Sequence, residues 1–140
     1  MSQAANVLYT GKTHTTGGRD GASHSLDGRL DVKLSSPGSS APGTNPEQLF
    51  GAGWSACFIG AMGLAAGQLK TALPGETAVD AAIDLVKGDD GYSLRARLSV
   101  SLPGLEREVA QRLVEMAHQT CPYSKATRGN IDVTITLAEA

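Results

Sequence analysis

Cysteine is the scarcest reactive residue in the chain. Two of 140 residues are Cys, at 57 and 121. So few, so far apart, do not make a structural disulfide framework; they read as free, redox-active or metal-binding. A large excess of charge of one sign is also missing. Lys and Arg total 12 against 14 Asp and Glu, a net charge of -2. That balance gives no electrostatic reason to expect a nucleic-acid partner or an anionic membrane surface. The N-terminus, MSQAANVLYTG, lacks the charged-then-apolar design of a signal peptide, which predicts a cytoplasmic protein. Internal repeats and low-complexity tails are absent. The length fits one domain, residues 1–140, able to bury a real core. Glycine is the residue in excess, at 17 positions against a usual ~7%.

The richest apolar stretch is TNPEQLFGAGWSACFIGAMGLAA, Thr44 to Ala66. Thr44 or Asn45 can cap it, Pro46 suits a first helical turn, and Glu47 favours the positive end of the dipole. Glu47 is its only charged residue, so the spacing predicts a buried helix, apolar all round. Its glycines and the polar Gln48 and Ser55 make it a poor membrane span. Cys57 shares a helical face with Gly53, Gly60, Ala61 and Leu64. That face of small side chains lets another element approach the sulfur. On spacing alone the plain reading, a buried small hydrophobe, takes precedence.

Around this helix the pattern predicts strands. Asn6 to Thr16 is one. Ser23 to Leu26 and Arg29 to Leu34 flank Asp27-Gly28, a two-residue hairpin signal. Arg19 sits in a turn, Gly17-Gly18-Arg19-Asp20-Gly21. Ser35 to Gly43 is a loop rich in Ser, Pro and Gly. Thr77 to Val86 and Tyr92 to Leu102 are strands around Gly88-Asp89-Asp90-Gly91, and the second alternates apolar with polar. A second helix spans Glu106 to Gln119, with Cys121 on its buried side and Pro122 ending or kinking it. Ser124 to Arg128 is a short turn, and Ile131 to Leu137 a last strand. The order predicts an α+β fold with antiparallel sheets around two long helices.

If the two helices pack, their axes lie about 8–10 Å apart, and the cysteines can come within disulfide range. Two unrelated core cysteines, or a metal site of Cys57, His118 and Cys121, are the other readings; the last lacks a fourth ligand and paired Cys-x-x-Cys spacing. A working Cys57 needs its thiolate. An unperturbed thiol is only about 3% ionised at pH 7, and an apolar setting suppresses ionisation further. A cation must offset this, and Arg19 or Arg128 are candidates.

The segments TNPEQLFGAGWSACFIGAM and AHQTCPYSKATRGNIDVTI resemble the organic hydroperoxide resistance proteins. These are the thiol peroxidase branch of the family shared with osmotically inducible protein C. YTGKTHTTGGRDG, DGRLDVKLSSPG and the order of elements fit the same family across essentially the whole chain. Gly51 and Trp54 stand where the family more often carries Ala and Tyr. The resemblance implies an intertwined homodimer of α+β subunits with two sites at the interface. It implies a peroxidatic Cys57, a resolving Cys121, an Arg19 that stabilises the thiolate, and a Glu47 that orients Arg19. It implies organic, fatty-acid-type hydroperoxides as substrates, no bound metal or haem, and dihydrolipoamide or lipoylated enzyme subunits as reductant. The alternatives are the osmotic-stress sister branch, and a non-enzymatic lipid-binding or redox-sensing module. Glu47 and Cys57 lie ten residues apart, about 15 Å along a continuous helix. One Arg19 can serve both only if Glu47 precedes the regular helix or comes from a partner chain.

Overall fold

The structure is a computed structural model and describes residues 5–139. The first four residues of the stretch read for a signal peptide lie outside it. The fold is α+β, with two three-stranded sheets and three α-helices among the described residues. The chain forms two compact units, one up to Pro46 and one from Glu47 onward.

The N-terminal unit is a meander of β1 (Thr13–Thr16), β2 (Ala22–Ser25) and β3 (Asp31–Lys33), antiparallel throughout. β1 is shorter than the expected Asn6–Thr16 because β2 offers only four residues to pair with it. Val7, Leu8 and Tyr9 are left almost fully exposed. The predicted two-residue turn at Asp27-Gly28 is a longer loop. Asp27 Oδ1 accepts from Ser25 Oγ (2.6 Å) and from the Arg29 N–H (3.0 Å), and Ser25 Oγ accepts the Leu30 N–H (2.9 Å), so side chains close the turn beside the one backbone bond from the Ser25 N–H to the Leu30 carbonyl (2.8 Å). Between β1 and β2 a 3₁₀ turn, Gly18–Asp20, carries Arg19. Its glycines are required: Gly17 and Gly18 take φ of 75° and 60°. A Cβ on Gly21 would stand 1.8 Å from the Thr16 carbonyl oxygen. Asp20 ties this turn to the Ser-rich loop, accepting from the Ser36 N–H and Oγ, both at 2.9 Å.

The C-terminal unit is built on α1 (Pro46–Gln68), 23 residues long. By length and apolarity alone α1 could cross a membrane. In this fold one face of it, with Trp54, Phe58 and Met62 fully buried, enters the core. The expectation of burial all round does not hold within one chain. Ala52, Ala56, Gly60, Gly63 and Leu64 line an exposed side, with Leu64 74% exposed. One chain simply has too few elements to cover both faces of so apolar a helix.

The sheet of this unit has the order β4 (Ala78–Gly88), β5 (Gly91–Ser101), β6 (Asp132–Leu137). β4 and β5 form an antiparallel hairpin closed by Asp89-Asp90. β5 and β6 are parallel, which corrects the expectation of purely antiparallel sheets. The reason lies in the connection. α2 (Arg107–Thr120) and α3 (Pro122–Thr127) carry the chain back along the sheet, so β6 starts at the same end as β5. One face of the sheet buries Ala96, Leu98 and Val100 under α1 and under Ala110, Leu113 and Ala117 of α2. The other face is wet. Arg97 forks onto Asp84 there, and its guanidinium holds that carboxyl below the usual range.

Candidate active site: a paired thiol on α1

Cys57 lies in the middle of α1, at the edge of its buried face, and is partly exposed. Cys121 is fully buried. Pro122 explains where the second sulfur sits. Proline disfavours helical geometry at the preceding residue and cannot donate from its own nitrogen. Cys121 is therefore extended (φ -61°, ψ 123°) and serves both helices at once. Its N–H ends α2 on the Ala117 carbonyl (2.8 Å), and its carbonyl accepts the Lys125 N–H of α3 (3.0 Å). The side chain thereby points at α1. Cys121 Sγ lies 3.4 Å from Cys57 Sγ, and both are reduced.

The residues after Cys121 run along the same helix. The Tyr123 ring lies over Gly53, where a Cβ would meet its hydroxyl oxygen at 3.3 Å. Its centroid is 6.0 Å from that of Phe50, which in turn stands 5.5 Å from Trp54. On the small-residue face of α1 the expected close approach of a second element occurs at Gly53, whereas nothing stands within 4 Å of a Cβ placed on Gly60. Phe58 and Met62 belong to the core, while Phe50, Ile59 and Met116 pack at its margin.

Burial pushes the Cys57 thiol above its ordinary pKa, and the neighbouring Cys121 sulfur pushes it further the same way. The Tyr123 backbone N–H points to the sulfur and works in the opposite direction, stabilising the anion, but does not offset the rise. Sequence reasoning missed Tyr123 altogether. Its role depends on where Pro122 turns the chain, and only its place two residues after Cys121 hinted at it.

Glu47 lies in the first turn of α1, within the regular helix. Arg19 lies on the 3₁₀ turn of the N-terminal unit. Arg128 is engaged elsewhere, donating from Nη1 to the His118 carbonyl at 2.6 Å. Among the described residues no group of three Cys, His or acidic side chains is placed to hold a metal.

Fold and site together define a small α+β protein that carries a pair of adjacent reduced sulfurs between its helices. Residues 36–136 match the family described as OsmC-like protein. The organic hydroperoxide resistance protein of Xanthomonas axonopodis pv. citri is 49% identical over 142 residues, covering 99% of this chain and 100% of the relative. The organic hydroperoxide resistance protein OhrB of Bacillus subtilis is 43% identical over 136 residues, 94% of this chain and 98% of the relative. The crystal structure of OhrB superposes with a TM-score of 0.89 at 41% identity, covering 94% of this chain and 100% of that one. A structure from Elizabethkingia anophelis, an organic hydroperoxide resistance protein with thiocyanate bound, gives 0.88 at 40% identity, covering 97% and 100%. The chain belongs to the OsmC-like family, in its organic hydroperoxide resistance branch.

Proposed function

We propose that this protein is a cysteine-based peroxidase that reduces organic hydroperoxides of the fatty-acid type and so serves resistance to oxidative stress. The observation that carries the reading is the 3.4 Å approach of two reduced sulfurs, one reachable from solvent and one buried. The Cys57 thiolate attacks the terminal peroxide oxygen. The O–O bond breaks, an alcohol leaves with one proton, and Cys57 becomes a sulfenic acid. Cys121 then attacks the Cys57 sulfur, forming the disulfide and releasing water. A dithiol, dihydrolipoamide or a lipoylated enzyme subunit, restores both thiols by exchange. No bound metal or haem enters this cycle.

Cys57 needs a positive neighbour to ionise, and Arg19 is assigned that part, oriented by Glu47. Glu47 sits inside the regular helix, about 15 Å along α1 from Cys57. The arrangement that reconciles them is a homodimer whose sites draw on both chains. The exposed small-residue face of α1 around Gly60 and Leu64 supports the dimer, since a second copy would cover it. The protein acts in the cytoplasm, without nucleic acid or membrane as partner.

The test is consumption of cumene hydroperoxide and tert-butyl hydroperoxide by dihydrolipoamide-reduced protein, against hydrogen peroxide. The reading requires faster reduction of the organic substrates. Equal rates would favour the osmotic-stress sister branch, and no turnover would leave a binding or sensing module.

A further inference from the structure

A buried hydrogen bond brackets the paired thiols. Trp54 lies three residues before Cys57 on α1, and Ser124 lies three residues after Cys121 on α3. Trp54 Nε1 donates to Ser124 Oγ at 3.3 Å, and both side chains are fully buried. Among the described residues the indole N–H makes this one hydrogen bond, and its burial keeps water from it. Each end of this bond is about one helical turn from a sulfur.

One contact between two elements leaves them free to pivot about it. Two contacts a turn apart fix register and rotation together. The sulfur pair is one polar contact here and the indole–hydroxyl bond a second, beside the apolar contacts of Tyr123 with Gly53 and Phe50. The backbone of α3 is itself held, with the Arg128 N–H on the Ser124 carbonyl at 2.9 Å. A shift of Ser124 therefore moves the short helix as a body, and Cys121 at its head with it.

We propose that the Trp54–Ser124 hydrogen bond is a register clamp. It holds Cys121 Sγ against Cys57 and so governs how fast the oxidised Cys57 is captured as a disulfide. This rests on the peroxidase reading for its sulfenic acid. In that step the Cys121 sulfur bonds to the Cys57 sulfur and the S–O bond breaks. Hydroxide leaves and takes up the Cys121 proton as water. Trp54 and Ser124 are positioning residues: neither touches the reacting atoms.

Trp54→Phe removes the donor and keeps an aromatic ring; Ser124→Ala removes the acceptor. The first readout needs no peroxide. Equilibrating each protein with a glutathione redox buffer gives the effective concentration of one thiol at the other. Each variant should lower it by roughly fivefold, the factor expected for one net hydrogen bond of ordinary strength. The double variant should match the singles, because both act through the same bond. The second readout is dimedone trapping after one equivalent of cumene hydroperoxide. Trapped sulfenic acid should rise several-fold in the variants, the loss falling on disulfide closure more than on the first oxidation of Cys57. Wild-type effective concentrations in all three variants would overturn the clamp. So would additive losses that slow both steps alike, since that is the signature of general loosening. A wild-type protein that forms no sulfenic acid defeats the peroxidase reading, and the glutathione equilibrium still decides the clamp.

Discussion

The Cys57 and Cys121 sulfurs stand 3.4 Å apart, yet only Cys57 is reachable from solvent. That asymmetry orders the proposed roles. A peroxide meets the open sulfur first, and the buried one meets only its neighbour. Their separation suits a dithiol about to close, since a disulfide bond needs about 2.05 Å.

Cys57→Ser should abolish hydroperoxide turnover. Cys121→Ser should consume one equivalent and then stall or overoxidise. Peroxide assays with dithiol reductant, followed by intact-mass spectrometry, check both. Full activity in Cys57→Ser would end the assignment.

The Arg19→Ala variant should lose most activity and show a Cys57 thiol that ionises at higher pH. Within its own unit Cys57 is already pushed up, first by burial and then by Cys121. Only the thiolate reacts, so the first-turnover rate should climb with pH until Cys57 is ionised. In Arg19→Ala that climb should move to higher pH. Thiol absorbance near 240 nm, followed against pH, reads it directly, and an unmoved curve removes Arg19 from the mechanism.

His118 should make stability fall in mild acid. Burial, and next the Arg128 charge, hold its folded pKa below the ordinary 6.5. Its Nδ1 is buried without a hydrogen-bond partner among the described residues. Above about pH 6.5 the ring is neutral in both states. Below that, the unfolded chain takes up the proton first, so stability drops as pH falls toward the folded value. Urea midpoints between pH 5 and 8 should show this slope, and His118→Phe should flatten it.

Met62→Ala should cost about 2–5 kcal/mol, because Met62 is fully buried and a cavity would remain. Leu64→Asp lies on the same helix but on the exposed side. It should leave the subunit folded and convert the proposed dimer to a monomer. Light scattering and chemical denaturation separate the two effects. A Leu64→Asp protein that stays dimeric would place the subunit contact elsewhere.

Much of this was legible in the residues themselves. The extent of α1 followed from Pro46 and from an unbroken apolar run. The end of α2 followed from Pro122, since a ring without an N–H cannot carry a helix through. The β4–β5 pair followed from alternation and from the Gly88–Gly91 break. The short loop at Asp27-Gly28 misled, because the Ser25 hydroxyl takes the Leu30 N–H that strand pairing would use. The parallel placing of β6 was also hidden. No residue in Asp132–Leu137 records which neighbour it joins; the helical return through α2 and α3 decides it.

By itself the sequence determined the elements and the chemistry available: two lone thiols, one helix rich in small residues, and a proline beside the second cysteine. These are local matters, set by dihedral preference and by hydrophobic period. Only the tertiary structure decided that the thiols meet, that Tyr123 crosses Gly53, and that Trp54 reaches Ser124. Those pairings join residues some seventy positions apart in the chain. Their contact comes from burying the faces of α1 and α2 on one sheet, and no short stretch of chain encodes that.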